Sequence, residues 1–387
     1  MLQRQNDARS LRVLMVCARF PPYIGGTEAH VSELSTRLAA RGHEVTVVTT
    51  VLDPSEANEQ VERGVVVRRV RAYPRRADLH IAPTLHGLIR DSDADIVHVQ
   101  GYHTVVAPLA MNAAARAGLP YVVTFHSGGH SSRLRRALRP THHRLLAPLV
   151  QRAQRVIGVS EFERDFFVRR MSLDPGRALT ITNGVSEEFK SVERSVSTKT
   201  GLIAAIGRLE HYKGHHRVIA ALPEVRRRVP GARLRVIGDG PYEGALRALA
   251  DQLGVGGAVE FTKVPYGDRP LLAERMAEAD VIAILSSYES QGIAGLEAVA
   301  TGARLVVADG SALSELRRFD GVCVVPRSDT GHVVDALVRQ LRLPRQQQRP
   351  GVPTWDDTAT QVEAVYADVL ADRHGMDRSA AEVACAS

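Results

Sequence analysis

The chain has 387 residues, 50 of them Lys or Arg and 43 Asp or Glu, with 44% hydrophobic and only 5% aromatic residues, the composition of an ordinary soluble globular protein. No stretch approaches the roughly 20 consecutive apolar residues of a membrane-spanning helix, and the polar start MLQRQNDARS lacks the apolar run of a secretory signal. Three scattered cysteines, Cys17, Cys323 and Cys385, do not make a disulfide framework or a Cys-based zinc site, so a reducing, cytoplasmic setting is expected.

Apolar, β-rich runs predict strands at Leu11–Cys17, Val45–Thr49, Val65–Val70, Ile96–Val99, Tyr121–Phe125 and Val156–Val159. Helical patterns separate most of them. Thr27–Arg41 places Val31, Leu34 and Leu38 on one face, and Gly42 stands where a helix stop is expected. The polar segment SVERSVSTKT after Lys190 reads as an interdomain linker. A second alternating series follows at Leu202–Ile206, Leu234–Ile237, Val259–Phe261, Val281–Leu285, Arg304–Val307 and Val322–Val325. The stretch LPRQQQRPGVP closes it, and Trp355–Leu370 reads as one more helix before a polar tail. Strand–helix alternation of this kind builds parallel sheets covered on both faces. The expectation is therefore α/β with two doubly wound domains, 1–190 and 201–350, and a final segment 351–387. Ligands of such sheets sit at the carboxyl ends of the strands, so a cleft between the domains is the default site.

Charge is uneven. Residues 1–200 carry 28 Lys/Arg against 19 Asp/Glu, a net +9, while the remainder carries 22 against 24, a net −2. Between Asp95 and Glu161 there is no acidic residue, yet Arg116, Arg133, Arg135, Arg136, Arg139, Arg144, Arg152 and Arg155 fall inside. Such a field attracts anions, whether a phosphorylated substrate, an anionic membrane surface or nucleic acid, or is simply a solvated face.

Three post-strand segments carry candidate chemistry. The first strand runs into RFPPYIGGT, where Gly25 and Gly26 precede a helix. Glycines there let backbone N–H groups approach a phosphate at a helix N-terminus, or serve only the turn. The strand at 202–206 leads into GRLEHYKGH, whose Arg208 and Lys213 suit one diphosphate, as a fork and a point charge, or are two solvated cations. The strand at 281–285 leads into SSYESQGIAGLEA, with Glu289 and Glu297 eight residues apart and Gly292 between them. Carboxylates accept paired hydrogen bonds from sugar hydroxyls, although an acid in a first helical turn also interacts with the helix dipole. Gln291, on the same loop, either bonds a sugar or is exposed.

Taken together, PPYIGGTEAHVSELSTRLAARGHEVTVVTT, GRLEHYKGHHRVIAAL, VIGDGPYEGALRALADQLG and the Glu-x7-Glu pair followed by AVATG resemble the retaining, nucleotide-sugar-dependent glycosyltransferases of family 4. The resemblance covers most of the chain. It implies the GT-B architecture, two facing Rossmann-like domains, the first binding the acceptor and the second the donor, with the helix from Trp355 crossing back to the first. It further implies that Arg208 and Lys213 hold the donor diphosphate and offset leaving-group charge, that Glu297 binds ribose hydroxyls, and that Glu289 binds the transferred sugar. Gly25 and Gly26 would lie against the diphosphate on closure, Gly292 and Ile293 would present backbone to the donor, and His126, in VVTFHSG, would stand near the sugar. Val264 falls where the family's backbone contacts the base, its side chain being assigned to packing. His98, His103 and His130 lack such a motif. The chain departs from the family's usual EGFGLP, reading ESQGIA from Glu289, which leaves phosphate recognition in place but loosens any inherited sugar preference.

The expected reaction is transfer of a hexose-type sugar from a nucleotide diphosphate sugar, UDP favoured, to an acceptor hydroxyl with retention of configuration. No cofactor and no metal are expected beyond that co-substrate, because no His/Asp/Glu ligand set clusters in sequence and the two cations can replace a divalent ion. A sugar phosphorylase or nucleotide-sugar epimerase would use the same architecture. Nucleic acid is not an expected partner, since no recognition module is present and stacking aromatics are sparse in the basic region. Peripheral association with an anionic membrane remains open through Ser132–Arg139, where Leu134 and Leu138 lie among arginines.

Overall fold

The computed structural model describes residues 10–23, 25–51, 53, 58–73, 81–102, 104–127, 133–194, 200–265, 267–326, 329–346 and 349–385, the side chains of 133–139 and 374–385 excepted. These residues fold into two parallel sheets. The first holds β1 (Arg12–Cys17), β2 (Glu44–Val51), β3 (Glu59–Glu62), β4 (Val65–Arg71), β5 (Ile96–Gln100), β6 (Tyr121–Thr124), β7 (Arg155–Gly158) and β8 (Ala178–Thr180), in the order β3-β4-β2-β1-β5-β6-β7-β8. All neighbours are parallel except the β3–β4 hairpin. The second holds β9 (Leu202–Ile206), β10 (Arg233–Ile237), β11 (Val259–Thr262), β12 (Val281–Ile284), β13 (Arg304–Ala308) and β14 (Val322–Val325), ordered β11-β10-β9-β12-β13-β14 and wholly parallel.

Helices α1 (Gly26–Ala40), α2 (Leu85–Arg90), α3 (Val106–Arg116), α4 (Arg133–Val150), α5 (Glu161–Met171) and α6 (Glu187–Ser191) belong to the first half of the chain. The second half supplies α7 (His215–Arg228), α8 (Glu243–Gln252), α9 (Arg269–Glu278), α10 (Ile293–Ala300), α11 (Thr330–Arg342) and α12 (Trp355–Cys385). Central strands are apolar throughout because both faces are covered: every residue of β5, β6, β9 and β12 is buried. One face of the first sheet packs on α2, α3 and α5 through Ile89, Met111 and Phe167. The other packs on α1 through Val31, Leu34 and Leu38, together with Val362, Val365, Tyr366 and Val369 of α12. Those four residues recur at the i, i+3, i+4, i+7 spacing that makes one helical stripe, and burying each valine contributes roughly 1.5–3 kcal/mol.

The chain leaves the first domain and returns to it at one place. Val185 pairs in parallel with Thr354, the Val185 N–H donates to Pro353 O at 2.9 Å, and Thr358 Oγ1 donates to Thr182 O at 2.8 Å. Gly184 lies so close that a β-carbon there would stand 2.1 Å from the Trp355 nitrogen. Within the segment read as a linker, the described part is clamped: Arg194 donates to Gly302 O and to Ala279 O, and Arg349 to Lys190 O and Val192 O.

Two strands escape the sequence pattern. Glu59–Glu62 is a polar edge strand, and Ala178–Thr180 has only three residues. The last helix also differs from expectation, continuing past Leu370 to Cys385.

Candidate active site

Strand order reverses between β9 and β12 in the second sheet and around β1 in the first. Crevices of doubly wound sheets open at such switch points, and the loops there carry the candidate residues. Three helices that begin on these loops start at glycine: Gly25 before α1, Gly214 before α7 and Gly292 before α10, none with a side-chain cap. Elsewhere Ser160, Asp268 and Asp329 cap α5, α9 and α11. Helix starts without a side-chain cap present backbone N–H groups and the positive end of the dipole to anions. Gly214 and Gly292 have φ of +78° and +80°, a region costly for any residue with a β-carbon.

Across the cleft, Gly26 faces Ile293, whose Cδ1 lies 3.8 Å from where a β-carbon on Gly26 would stand. The Glu28 carboxylate folds back against Gly25, 2.2 Å from the corresponding point there. Burial pushes the Glu28 carboxyl above its ordinary pKa, while its backbone hydrogen bond, Arg19 and Arg208 pull the other way. Arg208 therefore reaches electrostatically from the second domain to the first.

Lys213 and Glu289, 76 residues apart, form an ion pair of 2.7 Å between side chains 19% and 16% exposed. Burial alone would lower the Lys213 pKa, but Glu289, Tyr212 and Glu210 outweigh it and hold the pKa above the usual lysine value, so the ammonium stays charged. Arg208 is 64% exposed and pairs with Glu210 at 2.9 Å. Glu297 is buried in α10 and ion-paired with Arg269 of α9. Lys213 and Glu289 thus meet directly, whereas Arg208 and Glu297 have separate partners. Among the described residues no group of three or more His, Cys, Asp or Glu side chains is placed to hold a metal ion.

His126 follows β6 and is buried. Its Nε2–H donates to Gln100 Oε1 at 2.8 Å, and the His30 ring stands edge-on at 4.6 Å. His30 lies 2.5 Å from Asn183 Oδ1 through Nδ1, and burial depresses its pKa to about 4, keeping it neutral. His98 is a core residue between Tyr366 Oη and Thr124 Oγ1, each at 2.7 Å. Val264 packs against the second-domain core. His103 and His130 lie outside the described residues.

Gln291 corrects the sequence reading. It is buried rather than exposed, and its amide is bonded to the first domain: its Oε1 accepts from the Asn183 N–H at 3.1 Å, and its Nε2 donates to Asn183 O at 3.3 Å. An amide side chain matches a backbone peptide unit in both donor and acceptor, which explains why glutamine rather than a carboxylate stands here. Sequence reasoning also missed Ser127, Ser160 and Tyr288, which bond across the boundary between the two domains, and Glu163, which holds Ser127 from within the first. The only signal was Ser160-x-x-Glu163, a helix-start pattern.

Two doubly wound sheets with the Lys213–Glu289 pair and glycine-led helix starts on their switch-point loops have the architecture expected of a GT-B glycosyltransferase. Residues 24–189 match Glycosyltransferase Family 4, and residues 186–351 match Glycosyl transferases group 1. The glycogen synthase of Mycobacterium tuberculosis is 30% identical over 395 residues, covering 92% of this chain and 94% of its own. The phosphatidyl-myo-inositol mannosyltransferase of Mycobacterium leprae is 30% identical over 388 residues, covering 93% and 97%. In three dimensions the chain is similar to HepE of Anabaena in complex with UDP and glucose, with TM-score 0.69, 17% identity and coverage of 96% and 100%. The chain belongs to glycosyltransferase family 4, and it is a nucleotide-sugar-dependent glycosyltransferase.

Proposed function

We propose that this enzyme moves a hexose-type sugar from a nucleotide diphosphate sugar, UDP favoured, to an acceptor hydroxyl with retention of configuration. The observation that carries the reading is the Lys213–Glu289 pair beside the glycine-led starts of α7 and α10. In this reading the diphosphate sits on those helix starts, with Lys213 and the exposed Arg208 stabilising the charge that develops as the glycosidic bond breaks. Glu289 holds the sugar hydroxyls and Glu297 the ribose. Gly25 and Gly26 approach from the first domain, and His126 lies beside the sugar. No covalent nucleophile is invoked: attack comes from the face the leaving group vacates, through an oxocarbenium-like transition state. The mannosyltransferase relatives that carry GDP-mannose in their names make GDP the rival to UDP.

Calorimetric titration with UDP, GDP and ADP, repeated with Arg208→Ala and Glu297→Ala, tests the donor site. Selective binding of one nucleotide, lost in both variants, is expected; no binding of any of them refutes the reading. The anomeric configuration of the product, read by proton NMR, tests retention. The acceptor side is basic, and we take its partner to be neutral or anionic, with a peripheral membrane contact as the second reading. Leu145, 73% exposed beside Arg144 on α4, favours it, while the side chains of 133–139 lie outside the described residues. Among the described residues no helix is long and apolar enough to cross a membrane. Loss of binding to anionic vesicles on changing Arg133, Arg135, Arg136 and Arg139 to Ser is the expected result; no binding by the wild type ends that reading.

A further inference from the structure

Glu163 is a carboxylate with no solvent contact, and nothing in the reaction described above uses it. It occupies the first turn of α5, where its own N–H donates to Ser160 Oγ at 3.0 Å. Its carboxylate accepts from the Val159 N–H at 3.0 Å, from the Ser127 N–H at 2.8 Å and from the Ser127 hydroxyl. With its own proton committed to Glu163, Ser127 Oγ accepts from the Tyr288 hydroxyl, 2.5 Å away in the other domain. Ser127 is the neighbour of His126, and Tyr288 that of Glu289.

The same turn of α5 makes further bonds across the cleft. Ser160 Oγ donates to Ser290 O at 2.5 Å, the Phe162 N–H donates to Glu315 Oε1 at 2.6 Å, and the Phe162 and Tyr288 rings meet edge-on at 5.9 Å. On its opposite side, the 286–291 loop is tied to its own domain. The Ser287 N–H donates to Tyr212 O at 2.7 Å, and Arg217 donates to Leu285 O at 2.5 Å and to Ser287 Oγ at 3.2 Å. Glu289 therefore sits on a loop held from both domains, and the polar group at the root of the outer attachment is Glu163.

We propose that Glu163 is a positioning residue for glycosyl transfer: by fixing the Ser127 hydroxyl it orients Tyr288, and so sets the Glu289 loop in register with His126. The proposal rests on the transfer reading above, in which Glu289 holds the sugar. Burial pushes the Glu163 carboxyl up to about 7 against the pull of its Ser127 and Val159 donors, and in either protonation state removal of one partner leaves buried polar atoms unmatched, which makes the group a rigid anchor. Ser127 and Tyr288 act in series, so losing either hydroxyl breaks the same connection.

The test begins with hydrogen exchange on the full chain without nucleotide, for Ser127→Ala, Tyr288→Phe and Glu163→Gln. Exchange of the 286–292 segment is expected to quicken in all three, including the two variants altered only in the first domain. Unchanged exchange in both Ser127→Ala and Tyr288→Phe overturns the proposal. Release of nucleotide from UDP-glucose and from GDP-mannose is then followed. A fall in kcat of about tenfold or more, with nucleotide Kd within about twofold of wild type and no further fall in the Ser127→Ala/Tyr288→Phe double variant, is the expected outcome. Additive losses, or equal loss of nucleotide binding and turnover, would assign these groups a merely structural part and overturn the positioning role. Wild-type failure on both donors counts against the transfer reading, while the exchange result still decides the connection between the loops.

Discussion

Replacing Gly214 with alanine puts a methyl group where the structure has none to spare. The β-carbon would stand 2.0 Å from Leu285 O and 2.6 Å from its carbonyl carbon, both backbone atoms at the end of β12 that no rotamer change can move. A contact of about 3.4 Å requires one of the two loops to retreat by more than 1 Å. Alanine must also take φ near +78°, which costs about 1–2 kcal/mol, and the forced repacking adds about 1–3 kcal/mol. The sum, roughly 2–5 kcal/mol, corresponds to a fall in the second domain's Tm on the order of 10 °C. The functional effect is larger in proportion, because Gly214 follows Lys213 and Leu285 leads into the Glu289 loop. Displacing one against the other by about 1 Å stretches the 2.7 Å ion pair, and misplacement on that scale costs about a hundredfold in turnover. Differential scanning calorimetry and nucleotide titration check both effects. A Gly214→Ala protein with wild-type Tm and nucleotide affinity would refute the argument that this glycine holds the two loops at their spacing.

Gly26→Ala is expected to be mild, since a β-carbon there meets only Ile293 Cδ1 at 3.8 Å; Gly26→Leu should instead wedge the cleft, cutting turnover while nucleotide titration of the second domain stays near wild type. Arg269→Ala leaves Glu297 buried without its ion-pair partner, which should cost about 3–5 kcal/mol and lower Tm well beyond Arg269→Ala/Glu297→Gln; equal Tm values for the two proteins would contradict this. The buried histidines should make stability rise with pH across the acidic range, against an opposite contribution from Glu163, whose carboxyl burial pushes up to about 7. His30 and His215 are buried with pKa values near 4 and His98 near 3, depressed chiefly by burial, whereas the unfolded chain protonates them near 6.5. The unfolded state then binds more protons between about pH 4 and 6.5, so each histidine contributes stability that is lost as pH falls, up to about 1.4 kcal/mol per pH unit. Thermal melts from pH 7 to 4.5 should show that slope, and His98→Leu, if it folds, should flatten it.

The strands were legible because doubly covered parallel strands must be apolar at successive positions, as in LIAAI and VIAI of β9 and β12. The edge strand EQVE carries no such run and pairs only with β4. Site residues next to strand ends were legible for the same reason: once β9 and β12 are placed, Lys213 and Glu289 must follow them. Their mutual contact was not, since it depends on β9 and β12 lying side by side, although 76 residues separate the pair. Gln291 and Tyr288 were opaque for a related reason: both bond across the domain boundary, where spacing along the chain carries no information about which group a side chain will face.

The stripe that α12 lays on α1 has a consequence for how the protein is made. Val362, Val365, Tyr366 and Val369 complete the same core as Leu34 and Val47, yet they are synthesised after the entire second domain. During elongation, which delivers roughly 5–20 residues per second, one side of the first sheet must wait without its cover for the whole intervening stretch, while the second domain already has all its own parts. The order of assembly is thus inverted: the domain made first is the last to be completed. Pulse proteolysis of stalled chains should find protection of residues 201–342 before that of β1 and β2, and a ribosome-bound fragment ending at residue 350 should be cut within the first domain.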